Sequence, residues 1–138
     1  MAYSRLFLDS DVILDIILKR QPFVLYMQEL LMQCASRGLE LTTSTLVIAN
    51  MNYILTKEFG APESKKRLKE IIKVIDVLSF EGEIVGKAIE SRFSDLEDAF
   101  QHLIAVRNNC DLIITRNVKD YKHSIIPVLT PEQFLKTL

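Results

Sequence analysis

Short apolar runs alternate along this chain with longer stretches in which apolar residues recur every three or four positions. That alternation predicts strands separated by helices. Arg5-Leu6-Phe7-Leu8 is one such run, closed by Asp9, after which Val12, Ile13, Ile16 and Ile17 fall on one helical face. Pro22 suits the first turn of a second helix, carrying Val24, Leu25, Met27, Leu30, Leu31 and Cys34 as far as Gly38, a residue suited to a C-terminal stop. Leu39–Thr43 reads as a strand, and Ser44 or Thr45 as the cap of a helix with Leu46, Val47, Met51, Ile54 and Leu55 that ends near Gly60. A lysine-rich helix opening at Pro62 leads into a third strand, Val74–Leu78. Helices over Glu81–Ser91 and Asp95–Asn108, a strand at Asp111–Ile114, a short strand at Ile125–Leu129 and a helix from Pro131 complete the series. The pattern implies a three-layer α/β/α fold around a central, mainly parallel sheet of four to five strands covered on both faces.

Composition narrows the picture without redirecting it. The 138 residues, 49% hydrophobic and 25% charged, fit one compact domain spanning residues 1–138. With 17 basic and 18 acidic residues the net charge is −1, so any nucleic-acid contact must rest on a local patch. The helix Glu63–Lys73 offers one, through Lys65, Lys66, Arg67, Lys69 and Lys73, although a solvated charged face explains it more simply. The apolar stretch Val12–Leu18 is broken by Asp15 and falls well short of a membrane span. A cytoplasmic protein with no membrane partner is expected. Cys34 and Cys110 stand alone in apolar surroundings and read as small buried hydrophobes.

Ligands of open parallel sheets gather outside the carboxyl ends of the strands, near a topological switch point. Here those ends carry Asp9-Ser10-Asp11, Ser44-Thr45 and Thr115-Arg116-Asn117, with Asp120 just beyond. A carboxylate directly after a buried strand is costly unless something compensates it, and a bound cation would do so. Asp9 and Ser10 can equally cap the following helix, and Asp11 suits its first turn, where the helix dipole favours a carboxylate. Asp95 and Asp98 share one face at a helix start, with His102 a turn further on. Asp95 can serve as an N-cap and Glu97 as a first-turn acid, and His102 reads as a packed or surface histidine. Asp98, in contrast, would repel Asp95 without a cation nearby. Oxygen-rich, thiol-free clusters of this kind suit Mg²⁺ or Mn²⁺ rather than zinc.

Two segments carry a family resemblance. Phe7-Leu8-Asp9-Ser10-Asp11-Val12-Ile13-Leu14-Asp15 resembles the opening of PIN domains, where a strand ends in an aspartate followed by Thr or Ser, Asn or Asp, and an apolar helix. Asp95-Leu96-Glu97-Asp98-Ala99-Phe100-Gln101, then Ile113-Ile114-Thr115-Arg116-Asn117 and Lys119-Asp120-Tyr121, is similar to a bacterial branch close to the VapC-type toxins. The likeness covers essentially the whole chain. It matches Asp9 to the first acidic position and Asp98 to the third. Asn117 falls at the fourth, with Asp120 as a substitute, and Thr115 falls at a threonine that orients the cluster. The second acidic position, usually a glutamate, aligns with Asn50, which carries no charge.

The resemblance implies a PIN-like fold and a toxin-type endoribonuclease. In it Asp9, Asp98 and Asp120 or Asn117 hold Mg²⁺ or Mn²⁺ that activates water for attack on RNA, with Asn50 contributing at most a carbonyl oxygen. Ser10, Thr115 and Arg116 are candidate substrate contacts, Arg116 through the scissile phosphate or else paired with a neighbouring carboxylate. An antitoxin partner and a homodimer are implied as well. Asn50 and Asn117 leave open a second class, a weakened domain that binds RNA or protein without turnover. A third, a haloacid-dehalogenase-like phosphatase, would use Asp9 of Asp9-Ser10-Asp11-Val12 as a nucleophile.

Overall fold

A computed structural model describes residues 3–138. Five strands, β1 (Arg5–Leu8), β2 (Glu40–Ser44), β3 (Asp76–Leu78), β4 (Leu112–Ile114) and β5 (Val128–Leu129), form one sheet in the order β3-β2-β1-β4-β5. Every pairing is parallel. Seven helices connect or follow them: α1 (Ser10–Ile17), α2 (Phe23–Arg37), α3 (Thr45–Phe59), α4 (Ala61–Ile71), α5 (Glu83–Ile89), α6 (Leu96–Arg107) and α7 (Pro131–Leu135). A short 3₁₀ helix, Val118–Tyr121, lies between β4 and β5. The expected three-layer α/β/α arrangement is the one observed.

Leu6, Phe7 and Leu8 of β1 and Leu112, Ile113 and Ile114 of β4 have no exposure at all, which explains why these strands are unbroken apolar runs rather than alternating ones. β2 is more polar, and its buried hydroxyls find partners on β1: Thr42 donates to the Leu6 carbonyl and Thr43 to that of Leu8, both at 2.8 Å. The chain leaves β1 to build outward through β2 and β3, then returns to the other side of β1 with β4. The switch point therefore lies between the ends of β1 and β4, where Asp9 and Thr115 emerge.

Helix ends follow the expected chemistry. Ser44 is the N-cap of α3, accepting from the Val47 amide at 3.1 Å while donating to the buried Gln101 of α6 at 2.7 Å. Gly38 closes α2 at φ 68°, a left-handed conformation that a side chain would strain. Several expected boundaries shift, α5 among them, which runs over Glu83–Ile89 rather than Glu81–Ser91. Pro22 precedes α2 instead of lying in its first turn. β3 begins at Asp76, because Val74 and Ile75 bond back to the Ile71 carbonyl and end α4, with Ile75 turned into the core. β5 shrinks to two residues, since Ile125 and Ile126 occupy a bend closed by Ser124.

On α4 the basic residues divide. Lys65, Lys66 and Lys69 are exposed, whereas Arg67 pairs with Glu63, donates to the Ile17 carbonyl and lies 4.0 Å from the centre of the Phe59 ring. Cys34 and Cys110 are both buried free thiols, as expected. Among the described residues no helix is long and apolar enough to cross a membrane.

Candidate active site

Asp9 is the residue β1 delivers to the switch point, and it is held from three sides. One carboxylate oxygen accepts from the Ser10 amide at 2.8 Å; the other accepts from the Tyr121 hydroxyl at 2.9 Å and faces the Thr115 hydroxyl at 3.1 Å. Asp9 is thus the N-cap of α1 as well as an acid fixed in place by its neighbours. Burial pushes its carboxyl above the usual range, Glu97 adds to the rise, and the three hydrogen bonds oppose it.

Asp11 lies in the first turn of α1, as expected, and does more there. Instead of only favouring the helix dipole, its carboxylate spans to the loop after β4. One oxygen accepts from the Arg116 amide at 2.9 Å and from the Asn117 side-chain amide at 3.3 Å, and stands 3.2 Å from the Thr115 hydroxyl. One hydroxyl proton on Thr115 cannot serve both Asp9 and Asp11 at once. The other oxygen of Asp11 is buried without any partner. Burial and the neighbouring Asp9 raise this carboxyl to about 6.

Arg116 takes the second of its two expected roles, pairing with a neighbouring carboxylate. Its guanidinium forms a two-pronged contact with Asp15, 2.8 Å through Nε and 3.1 Å through Nη2, and lies 4.0 Å from the centre of the Phe23 ring. Asp15 itself is completely buried and takes a second cation, Arg20, at 3.5 Å. Periodicity treats Asp15 only as an interruption of an apolar stretch. A charged residue on the inward face of α1 was the available signal, because such a side chain is not buried without a partner.

The opposite wall comes from α6. Asp95 caps it, accepting from the Asp98 amide at 2.9 Å, as the spacing suggested. Asp98 has its carboxyl raised to about 7, first by burial and then by Asp95, Asp9, Asp120 and Glu97. Asp98 is therefore within electrostatic reach of both Asp9 and Asp120, although the three come from separate elements. Asn50 reaches across from α3 and donates its amide to Glu97 at 2.6 Å. His102 is packed, not a ligand: its Nε2 accepts from the Ile125 amide at 3.1 Å and its ring lies against Phe93. Burial lowers its pKa, in keeping with a neutral acceptor.

The structure thus gathers Asp9, Asp98, Asp120, Asn117, Thr115 and Asn50 at one edge of the sheet, with Ser10 contributing a backbone amide. Tyr121 and Glu97 join them, beyond the residues singled out from the sequence. Among the described residues no three acidic, histidine or cysteine side chains close into a ready-made metal cage. The donor set nevertheless fits a hard divalent cation: oxygen atoms only, carboxyls raised by one another, and one buried carboxylate oxygen on Asp11 with no partner. A cation would relieve that repulsion.

The sign of the repulsion gives a stability prediction. Asp98 has a folded pKa near 7 against about 3.9 in an unfolded chain, so its contribution is intact below about pH 4 and is lost as pH rises through 7. In metal-free buffer Asp98→Asn should melt several degrees above the unaltered protein at pH 8 and level with it at pH 4. Equal melting temperatures at both pH values would show that the carboxylates do not strain the fold.

Comparison with known proteins follows the geometry. Residues 5–119 match the PIN domain family. The chain belongs to that family. The match displaces the phosphatase alternative. Ribonuclease VapC1 of Aquifex aeolicus is 30% identical over 139 residues, covering 97% of this chain and 95% of that protein. Among solved structures, the DNA-bound VapBC complex of Salmonella typhimurium superposes with a TM-score of 0.73 at 13% identity, covering 93% of this chain and 98% of that one. VapBC2 of Rickettsia felis, bound to a promoter DNA fragment, gives 0.69 at 16%, covering 91% and 96%. At such identities these two structures speak for the PIN fold alone.

Proposed function

We propose that this PIN domain is a ribonuclease of the VapC toxin kind, a hydrolase that cuts RNA phosphodiester bonds with Mg²⁺ or Mn²⁺. The observation that carries the proposal is the placement of Asp9, held by Ser10, Thr115 and Tyr121 at the switch point, with Asp98 half-buried near enough to it that burial and the neighbouring acids raise the Asp98 carboxyl to about 7. The likeness to Ribonuclease VapC1 along nearly the whole chain supports the choice of RNA as substrate.

Asp9 and Asp98 are the main holders of the ion, with Asp120 and Asn117 at the rim. When bound, such an ion lowers the pKa of a water and offsets charge on the phosphate oxygens. Tyr121 and Thr115 keep the Asp9 carboxylate oriented, and Asp11 holds the loop that carries Thr115 and Asn117. Arg116 serves the site through its backbone amide on Asp11 and through its anchor on Asp15, rather than through the phosphate. Ser10 lends its amide to Asp9, and its hydroxyl is the group we assign to substrate contact.

The partner we expect is an antitoxin protein, since a solved structure of similar fold from Klebsiella pneumoniae is a toxin–antitoxin complex; a cytoplasmic homodimer is what the family resemblance implies for the working unit. Purified protein should cleave RNA when Mn²⁺ is supplied and stop when EDTA removes it. Cleavage that persists through chelation would overturn the metal-dependent reading. Asn50 motivates the competing reading, an RNA- or protein-binding module without turnover. That reading would prevail if calorimetry found no Mn²⁺ binding tighter than the millimolar range together with intact RNA affinity.

A further inference from the structure

Two acids begin α6 beyond its cap, Glu97 and Asp98, and the sequence pattern makes Glu97 merely a favourable charge near the helix start. Its surroundings assign it more. The Asn50 amide, from the opposite wall of the cleft, binds a Glu97 carboxylate oxygen at 2.6 Å, a short contact linking residues 47 positions apart. A side chain serving only the dipole needs no such partner. From that position Glu97 is close enough to add its charge to Asp9 at the end of β1 and to its neighbour Asp98. The residue as a whole is exposed. Asp95 is already spent on capping α6.

We infer that Glu97 is a further metal-binding acid of the site, taking the charge that α3 lacks at Asn50, and that Asn50 is the positioning residue that turns Glu97 toward Asp9 and Asp98. The inference rests on the metal-dependent reading above. An amide at Asn50 and a carboxylate at Glu97 form one unit: the amide N–H holds one carboxylate oxygen and leaves the second for the ion. Affinity for a hard cation depends on the number of charged oxygen donors, so an acid transferred from α3 to α6 keeps the count where an uncharged Asn50 alone would lower it.

The test is Mn²⁺ binding at neutral pH, read from the electron paramagnetic resonance of free Mn²⁺, with melting curves as a check on folding. The unaltered protein should bind Mn²⁺. Glu97→Gln, which preserves shape and hydrogen bonding, should weaken that binding by about tenfold or more, in the range known for altered metal-site residues. Asn50→Ala should weaken it less, with Glu97 intact. The exchanged pair Asn50→Glu with Glu97→Gln should recover most of the loss, which a purely structural role for either residue would not produce. Glu97→Gln protein that binds Mn²⁺ as tightly as the unaltered chain overturns the inference while leaving the metal-dependent reading standing. Failure of that parent reading would show instead in the unaltered protein, as no Mn²⁺ uptake at all.

Discussion

Asp98→Asn should cut RNA cleavage by at least about a hundredfold at saturating Mn²⁺, because even altering a residue that only orients a metal ligand costs about 10–100-fold. This substitution is the cleaner of the two at the centre of the site. Among the described residues the Asp98 side chain makes no hydrogen bond, and its backbone amide is held by the Asp95 carboxylate. Asparagine therefore fits without disturbing the fold, and in metal-free buffer should even relieve it. Asp9→Asn should abolish activity as well. There, however, an amide must replace a carboxylate that accepts from Ser10, Thr115 and Tyr121, so part of the loss would come from local rearrangement. Single-turnover cleavage of a labelled RNA measures both. Asp98→Asn protein that retains more than about a tenth of the rate would remove Asp98 from the metal site.

The largest expected effect on stability lies away from the acids that face solvent. Asp15→Ala should destabilise the fold by about 3 kcal/mol, the lower end of the cost of breaking a buried ion pair. The lower end applies because Arg116 and Arg20 are 28% and 37% exposed and recover some hydration, whereas Asp15 is fully buried. For a chain of this length that loss lowers the melting temperature by about 10 °C. Activity should fall too, since Arg116 would no longer be anchored and its amide helps Asp11 hold the Thr115–Asn117 loop. Urea unfolding gives the free energy directly. A change below about 0.5 kcal/mol, the range of ordinary surface substitutions, would show that the Asp15 cluster does not hold the fold.

Much of this was legible in the residues, and the boundary follows interaction range. Strand ends mark where a parallel sheet presents its ligands, so Asp9 and Thr115 could be placed without coordinates. The cap roles of Ser44 and Asp95 are local too, because a side chain that accepts from an amide three residues on needs no knowledge of the fold. Asp15 is different: its partner Arg116 lies 101 positions away, and periodicity reduces it to a break in an apolar run. The Asn50–Glu97 contact crosses 47 positions between two helices and is equally invisible to spacing. Asp11 shows how a correct local argument can be incomplete. The dipole does favour it, yet its carboxylate is turned to a loop more than a hundred residues downstream. Arg116 shows a choice that local sequence leaves open: its charge suits a phosphate or a carboxylate, and the fold brings Asp15 to it.

Anomalous scattering from crystals soaked in Mn²⁺ tests the central claim most directly, because it locates the ion without reference to activity. The account predicts a manganese peak within coordination distance of Asp9 and Asp98, about 2.0–2.3 Å from their oxygens as for other hard divalent cations. It would be contradicted by a peak remote from both aspartates, or by no peak, in crystals of protein that cuts RNA with the same metal.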